Sequence, residues 1–202
     1  MNNVIYLAGG CFWGLEKLMK SLPGVKNTTS GYANGTCLAD ANYETVCRGR
    51  TGFRETVKVE YDPREITLSA ILIAYFYVID PTQENRQGPD VGTQYQTGIY
   101  YDPEDEEAKA VIMHAAAAEQ EAIDRQRQKG GFNSFVYFAV EIEPLKNFYP
   151  AEAYHQDYLD KVPGGYCHIP FKKIELLSKL PLSAVSYDRP AAEIIENLLN
   201  SN

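Results

Sequence analysis

Apolar and polar residues alternate most cleanly in FRETVKVEYDP, residues 53–63. Phe53, Glu55, Val57, Val59 and Tyr61 share one face, while Arg54, Thr56, Lys58, Glu60 and Asp62 share the other. A period of two belongs to a half-buried strand. NVIYLAG (3–9) is a short apolar run ending in glycine and predicts a second, buried strand. Leu15, Leu18, Met19 and Leu22 follow at helical spacing, and Pro23-Gly24 ends that helix. LSAILIAYFYVI (68–79) predicts an apolar helix, too short for a bilayer span of about 20 residues. A long polar segment, DPTQENRQGPDVGTQYQ (80–96), comes next, and such a stretch inside a domain is either functional or disordered. TGIYYD (97–102) and FVYFAVEIEPL (135–145) predict strands. Residues 103–129 predict an amphipathic helix stopped by Gly130-Gly131, and 150–161 a helix opening at Pro150. Near the C-terminus, Ile194, Ile195, Leu198 and Leu199 form a helical stripe. Strands mixed with helices predict one α/β or α+β domain.

Composition narrows the function classes. With 202 residues and 45% hydrophobic content the chain can bury one sizeable core. A net charge of −8 argues against sequence-independent binding to nucleic acid or to anionic membrane. MNNVIYLAGG lacks the basic region of a secretory signal, so the expected location is cytoplasmic. The four cysteines, at 11, 37, 47 and 167, have no C-x-x-C spacing, and no metal site is expected. In a reducing compartment such thiols serve chemistry or packing.

Cys11, in AGGCFWGLE, lies between an apolar strand and a helix. At a helix N-terminus, free N–H groups and the macrodipole favour a thiolate. Gly9 and Gly10 would leave room for a substrate, and Phe12 and Trp13 would line an apolar pocket. The competing reading makes Cys11 a small buried hydrophobe among core aromatics. Glu55 is the second anomaly, a carboxylate on the apolar face of its strand. Burial would keep it protonated and make it a general acid, unless the strand sits at a wet rim or pairs with arginine. Asp90, Tyr95 and Arg86 stand in the polar loop, and Tyr43 and Cys47 in ANYETVC. Tyr43 and Cys47 also read as packing, and His155 and His168 as structural. Cys167, in the glycine-flanked PGGYCHIP, has the setting of a mobile resolving thiol or of an incidental cysteine.

These stretches together resemble the A-type peptide methionine sulfoxide reductases. GCFWG (10–14), GYANG (31–35), YETVCRGRTGFRETVKVEYDP (43–63), DPTQENRQGPDVGTQYQTGIYY (80–101), AEAYHQDYL (151–159) and GGYCHI (164–169) occur in the family's order, over roughly residues 3 to 170. The resemblance implies an α+β two-layer sandwich around a mostly antiparallel, ferredoxin-like sheet, with a catalytic domain over 1–170 and an extension over 171–202. It implies Cys11 as nucleophile and Glu55 as acid. Tyr43, Asp90 and Tyr95 would bind the sulfoxide, Phe12 and Trp13 its methyl group, and Cys167 would resolve the sulfenic acid. No bound cofactor is implied, only an external dithiol, usually thioredoxin, and a monomer is expected. Phe53 stands where the family often has histidine, Asn34 where glycine is usual, and Cys37 has no assigned role. A thiol peroxidase or redox sensor using the same cysteine, and a non-catalytic module binding oxidised methionine, are the alternatives.

Overall fold

The computed structural model describes residues 3–130 and 136–201. The chain runs β1 (Asn3–Ala8), α1 (Phe12–Ser21), β2 (Val25–Ala33), α2 (Tyr43–Val46), β3 (Arg54–Tyr61) and α3 (Leu68–Val78). It continues through β4 (Arg86–Gln87), β5 (Asp90–Val91), β6 (Gly98–Tyr101), α4 (Glu106–Gln128), β7 (Glu141–Pro144) and β8 (Phe148–Pro150). Three helices follow: α5 (Tyr158–Lys161), α6 (Phe171–Lys179) and α7 (Ala191–Asn200).

Six strands form one sheet in the order β7-β6-β1-β3-β2-β8, and β4 and β5 make a separate two-stranded ribbon. The β1–β3, β1–β6, β2–β3 and β2–β8 pairings are antiparallel, whereas β6 and β7 run parallel. The fold is therefore α+β on a mixed, curled sheet, and not plainly the ferredoxin-like antiparallel sheet expected. Alternation in β3 holds as read: Glu55, Val57, Val59 and Tyr61 point into the core. Ile5 and Leu7 of β1 join them there, under Leu15, Leu18 and Met19 of α1 and Ile71, Leu72 and Tyr75 of α3. Tyr75 fixes α3 to the sheet by donating its hydroxyl to the Ala8 carbonyl at 2.7 Å.

Three elements differ from the pattern-based expectation. No alternation marks β2, because its first half lies at the surface and its last four residues are buried on both faces. Of the strand expected over 135–145, Phe135 lies outside the described residues, and pairing starts only at Glu141. Before it, the Ala139 N–H donates to the Pro81 carbonyl at 2.7 Å and the Ala139 carbonyl accepts from Gln96 Nε2, so this stretch serves the polar loop instead. The helix expected over 150–161 shrinks to α5. Gln156 bonds both Ser30 and Ala151, and Asp157 takes a left-handed φ of 53°, which interrupts a helical run.

The last helix packs on the body, with Ile194 and Ile195 buried against the core and Leu198 partly so, whereas Leu199 is exposed and leaves the stripe. Glu119, buried on α4, accepts from the Ala191 N–H at 2.7 Å and the Tyr187 hydroxyl at 2.6 Å, capping α7 from another element. Glu119→Ala would leave both donors buried and unpaired, so a destabilisation of about 2 kcal/mol is expected in urea unfolding. Arg125→Ala, which removes only the exposed ion pair to Glu193, should change stability by less than about 1 kcal/mol. Equal effects of the two would refute the capping role.

Candidate active site

Cys11 occupies the N-cap of α1, immediately after the β1 strand and two glycines, and makes no side-chain capping bond. Gly10 has φ of +82°, open to glycine but strained for other residues. A Cβ there would come within 2.8 Å of the Gln87 Cβ and 3.2 Å of His168 Nε2. At Gly9 it would meet Ile79 and Leu15, each at 3.2 Å. The glycines thus admit the protein's own packing, not a substrate as the sequence suggested.

Glu55, on the inward face of β3, accepts a hydrogen bond from the Phe12 N–H at 3.1 Å. The residue next to the nucleophile candidate is thereby tied to the acid candidate. Only 2% of Glu55 is exposed. Burial first, and then the charge of Asp90, lift its carboxyl from 4.5 to about 8 against the opposing pull of the Phe12 N–H. At neutral pH it carries a proton. Burial also pushes the Cys11 thiol well above its ordinary value, with Glu55 adding to the effect, while the Trp13 N–H pulls the other way. The expected helix-end activation is outweighed, and the resting sulfur is a thiol.

One cavity of about 180 Å³ is lined by Cys11, Phe12, Trp13, Tyr43, Glu55, Asp90, Tyr95 and Tyr166. That size suits a side chain better than a drug-sized ligand. A larger hollow of about 550 Å³, lined in part by Thr67, His114 and Tyr187, contains no cysteine. Seven of the sequence-selected residues therefore converge from α1, α2, β3, β5 and the turn before β6. Burial raises the Tyr43 hydroxyl to about 12 and that of Tyr95 further, so both remain proton donors. Cys167 lies outside the lining, but its sulfur rests against the first turn of α1, 3.0 Å from where a Gly14 Cβ would be. Burial and then Asp90 raise its thiol, and all four cysteines are free.

The polar loop is ordered by buried amides. Gln87 Oε1 accepts from the Asp80 N–H at 2.6 Å, and Gln96 Nε2 reaches Ala139, which holds Asp90 and Tyr95 in place. Arg86 stays at the surface on the Gly88 carbonyl. Among the described residues, no group of three or more His, Cys, Asp or Glu is placed to hold a metal.

The description "Peptide methionine sulfoxide reductase" fits residues 3–180 of this sequence. The chain belongs to that family, in its A type. It is 49% identical over 179 residues to peptide methionine sulfoxide reductase MsrA of Clostridium acetobutylicum, covering 89% of this chain and 99% of the relative. The MsrA of Alkaliphilus metalliredigens is 47% identical over 82% of this chain and 96% of its own. Among solved structures, methionine sulfoxide reductase A of Corynebacterium diphtheriae superposes with a TM-score of 0.69 at 34% identity, covering 84% of this chain and 83% of that one.

Several residues at this candidate site were not singled out by sequence reasoning. Tyr166 donates its hydroxyl to Asp90 Oδ1 at 2.7 Å. Glu152 accepts from the Tyr43 N–H at 2.8 Å and from the Tyr32 hydroxyl at 2.9 Å, anchoring the start of α2. His155, read as structural, is fully buried and accepts at Nδ1 from Trp13 Nε1 at 3.0 Å, which fixes the indole together with a stacked Tyr158 ring 3.7 Å away. Tyr166, Glu152 and Tyr158 lie within three residues of the motif residues Cys167 and His155, the one local signal that pointed to them.

The two departures from the family pattern take clear positions. Phe53 is buried beneath Gly35 and packs edge-on against Tyr149 with centroids 5.9 Å apart, away from the cavity lining. Asn34 takes φ of 56°, the left-handed conformation that favours glycine, and its Oδ1 accepts from the Lys146 N–H at 2.8 Å. Cys37 and Cys47 are both exposed, so Cys47 is not the packing residue the sequence suggested.

Proposed function

We propose that this chain reduces methionine S-sulfoxide, free or in peptides, with Cys11 as nucleophile, Glu55 as acid and Cys167 as resolving thiol. The observation that carries the reading is a buried carboxyl and a free thiol lining one side-chain-sized cavity, with the carboxyl held by the N–H of the residue after the thiol. A sulfoxide sulfur becomes electrophilic when its oxygen is protonated or strongly hydrogen-bonded. Glu55, with the Tyr43 and Tyr95 hydroxyls, supplies that polarisation without histidine. Phe12 and the clamped Trp13 ring offer the apolar wall for the thioether methyl, and Asp90 with Tyr166 borders the oxygen side.

Both resting groups are neutral, which sets the proton path. Glu55 gives its proton to the sulfoxide oxygen as Cys11 attacks sulfur, and the carboxylate formed takes the thiol proton. The hydroxyl then migrates with its bond to Cys11, leaving Cys11–S–OH and the thioether. The Cys11 thiol is thus oxidised by the two electrons that reduce the sulfoxide. Cys167 condenses with the sulfenic acid to a disulfide and releases water. Renewal falls to an external dithiol, for which thioredoxin is the reductant we propose. We also propose a monomer working in a thiol-reducing, cytoplasmic setting, where thiols without C-x-x-C spacing stay reduced. We assign the catalytic role to residues 1–170 and a stabilising one to 171–202, where α7 is capped by Glu119.

Cys167→Ser separates the two halves. Without reductant, one equivalent of methionine per enzyme is expected with the sulfenic acid retained on Cys11, while thioredoxin-driven cycling stalls. Undiminished cycling would transfer the resolving role elsewhere.

A further inference from the structure

His168 follows the resolving thiol in sequence, and its surroundings are those of a docked group. The imidazole is 4% exposed. Its Nε2 lies 2.9 Å from the Gly9 carbonyl, and since a carbonyl only accepts, Nε2 carries the hydrogen. The ring fills the space a side chain at Gly10 or Gly14 would need, with contacts of 3.2 Å to Nε2 and 3.3 Å to Nδ1. The two glycines flanking Cys11, Phe12 and Trp13 thus form a socket for His168 and for the Cys167 sulfur beside it.

The other ring nitrogen faces a carboxylate. His168 Nδ1 and Asp90 Oδ2 stand 3.8 Å apart, and both are buried without a hydrogen-bond partner among the described residues. With Nε2 already protonated, a neutral imidazole turns its Nδ1 lone pair toward an oxygen that can also only accept. One added proton turns this opposition into an Nδ1–H···Oδ2 contact. Asp90 is held for it by Tyr166, on the other side of Cys167, which donates to Oδ1.

We propose that His168 is a positioning residue for the resolving step: socketed on Gly9, Gly10 and Gly14 and sharing one proton with Asp90, it seats Cys167 against the first turn of α1. This rests on the reading of Cys11 and Cys167 given above and adds to it how the second thiol is held. The step it serves is balanced. Cys167–SH and Cys11–S–OH form the sulfur–sulfur bond, the S–O bond breaks, and the thiol proton leaves with the hydroxyl as water. Cys167 is oxidised as the sulfenic sulfur is reduced, so no further oxidant enters. Asp90 is the charged group facing His168. Cys167, beside it against Gly14, and Tyr166, on Asp90 Oδ1, are the other titratable groups of this cluster, and burial raises the hold of both on their protons. Burial outweighs Asp90 and holds the imidazole's affinity for the extra proton below the ordinary histidine value, so the shared proton belongs to the acid side of neutrality.

The test uses fully reduced wild-type, His168→Gly and His168→Gln proteins, each given one equivalent of methionine S-sulfoxide without reductant between pH 5 and 8. Methionine release and the Cys11–Cys167 disulfide are followed separately, the latter by mass after alkylation. Release is expected to agree within about twofold in all three, while disulfide formation slows about tenfold or more in His168→Gly. Glutamine, which can still donate to the Gly9 carbonyl, should recover part of the rate. The ratio of wild-type to His168→Gly rates should be largest at low pH and fall as the shared proton is lost. Disulfide formation at the wild-type rate in His168→Gly, or a slowing with no pH-dependence and no recovery by glutamine, would overturn the proposal. If wild-type protein releases no methionine, the reading of the reaction fails separately. The sulfenic acid is then made with one equivalent of hydrogen peroxide, and the same comparison of disulfide rates decides for or against His168.

Discussion

Cys11→Ser protein is expected to fold as the parent does and to lose turnover by roughly 10³-fold or more. Serine has the same shape as cysteine and is smaller, so it fits without a clash, and the position makes no side-chain capping bond whose loss would unfold α1. The loss is chemical. A hydroxyl is a far weaker nucleophile toward sulfur than a thiol, and it cannot form a sulfenic acid. Turnover in the presence of dithiothreitol, with circular dichroism to check folding, makes the comparison. Appreciable activity in folded Cys11→Ser protein would move the nucleophile to Cys47 or Cys167.

Glu55→Gln is expected to lower kcat/KM by about 10²-fold or more at pH 7 and to change the shape of the pH profile. Glutamine still accepts from the Phe12 N–H, so the geometry near Cys11 is retained. The proton is not. The native carboxyl holds it up to about pH 8, so wild-type activity should fall as pH rises through that value, and the variant should lack this limb. Stability moves in a related way. With the native value raised from 4.5 to about 8, the carboxyl's favourable contribution is complete below pH 4.5 and is lost as pH rises through 8. At pH 7 the glutamine variant should therefore be no less stable than the parent, which separates lost chemistry from lost fold. A variant with near-normal rate would pass the acid's role to Tyr43, Tyr95 or solvent.

Much of this site is legible in one dimension because its chemistry breaks local rules. Glu55 stands out only against the strict alternation of β3, and burial as predicted keeps it protonated. Cys11 stands out by its place between strand and helix, and the structure puts it at the α1 N-cap. The state of its sulfur was not legible. A helix end favours a thiolate, but the depth of burial, which pattern does not reveal, dominates. The glycines show the same limit. Their need for space is visible in sequence, yet whether substrate or protein fills it depends on His168 and Gln87, each more than 70 residues away. Residues 151–157 mislead because their polar groups bond across the fold to Ser30 and Glu16 instead of along a helix. The expected strand at 135–145 misleads likewise, because residues before Glu141 support the loop carrying Asp90 and Tyr95.

The central claim is a thiol-based reduction of one sulfoxide epimer at the Cys11 cavity. Dithiothreitol-driven turnover of the separated S and R epimers of methionine sulfoxide, with Cys11→Ser alongside, tests it most directly. Turnover of the S epimer alone, abolished in the variant, is the expected result. Folded, reduced protein that turns over neither epimer, or both equally, would contradict it. In the first case, rapid consumption of peroxide would point to a peroxidase using the same sulfur.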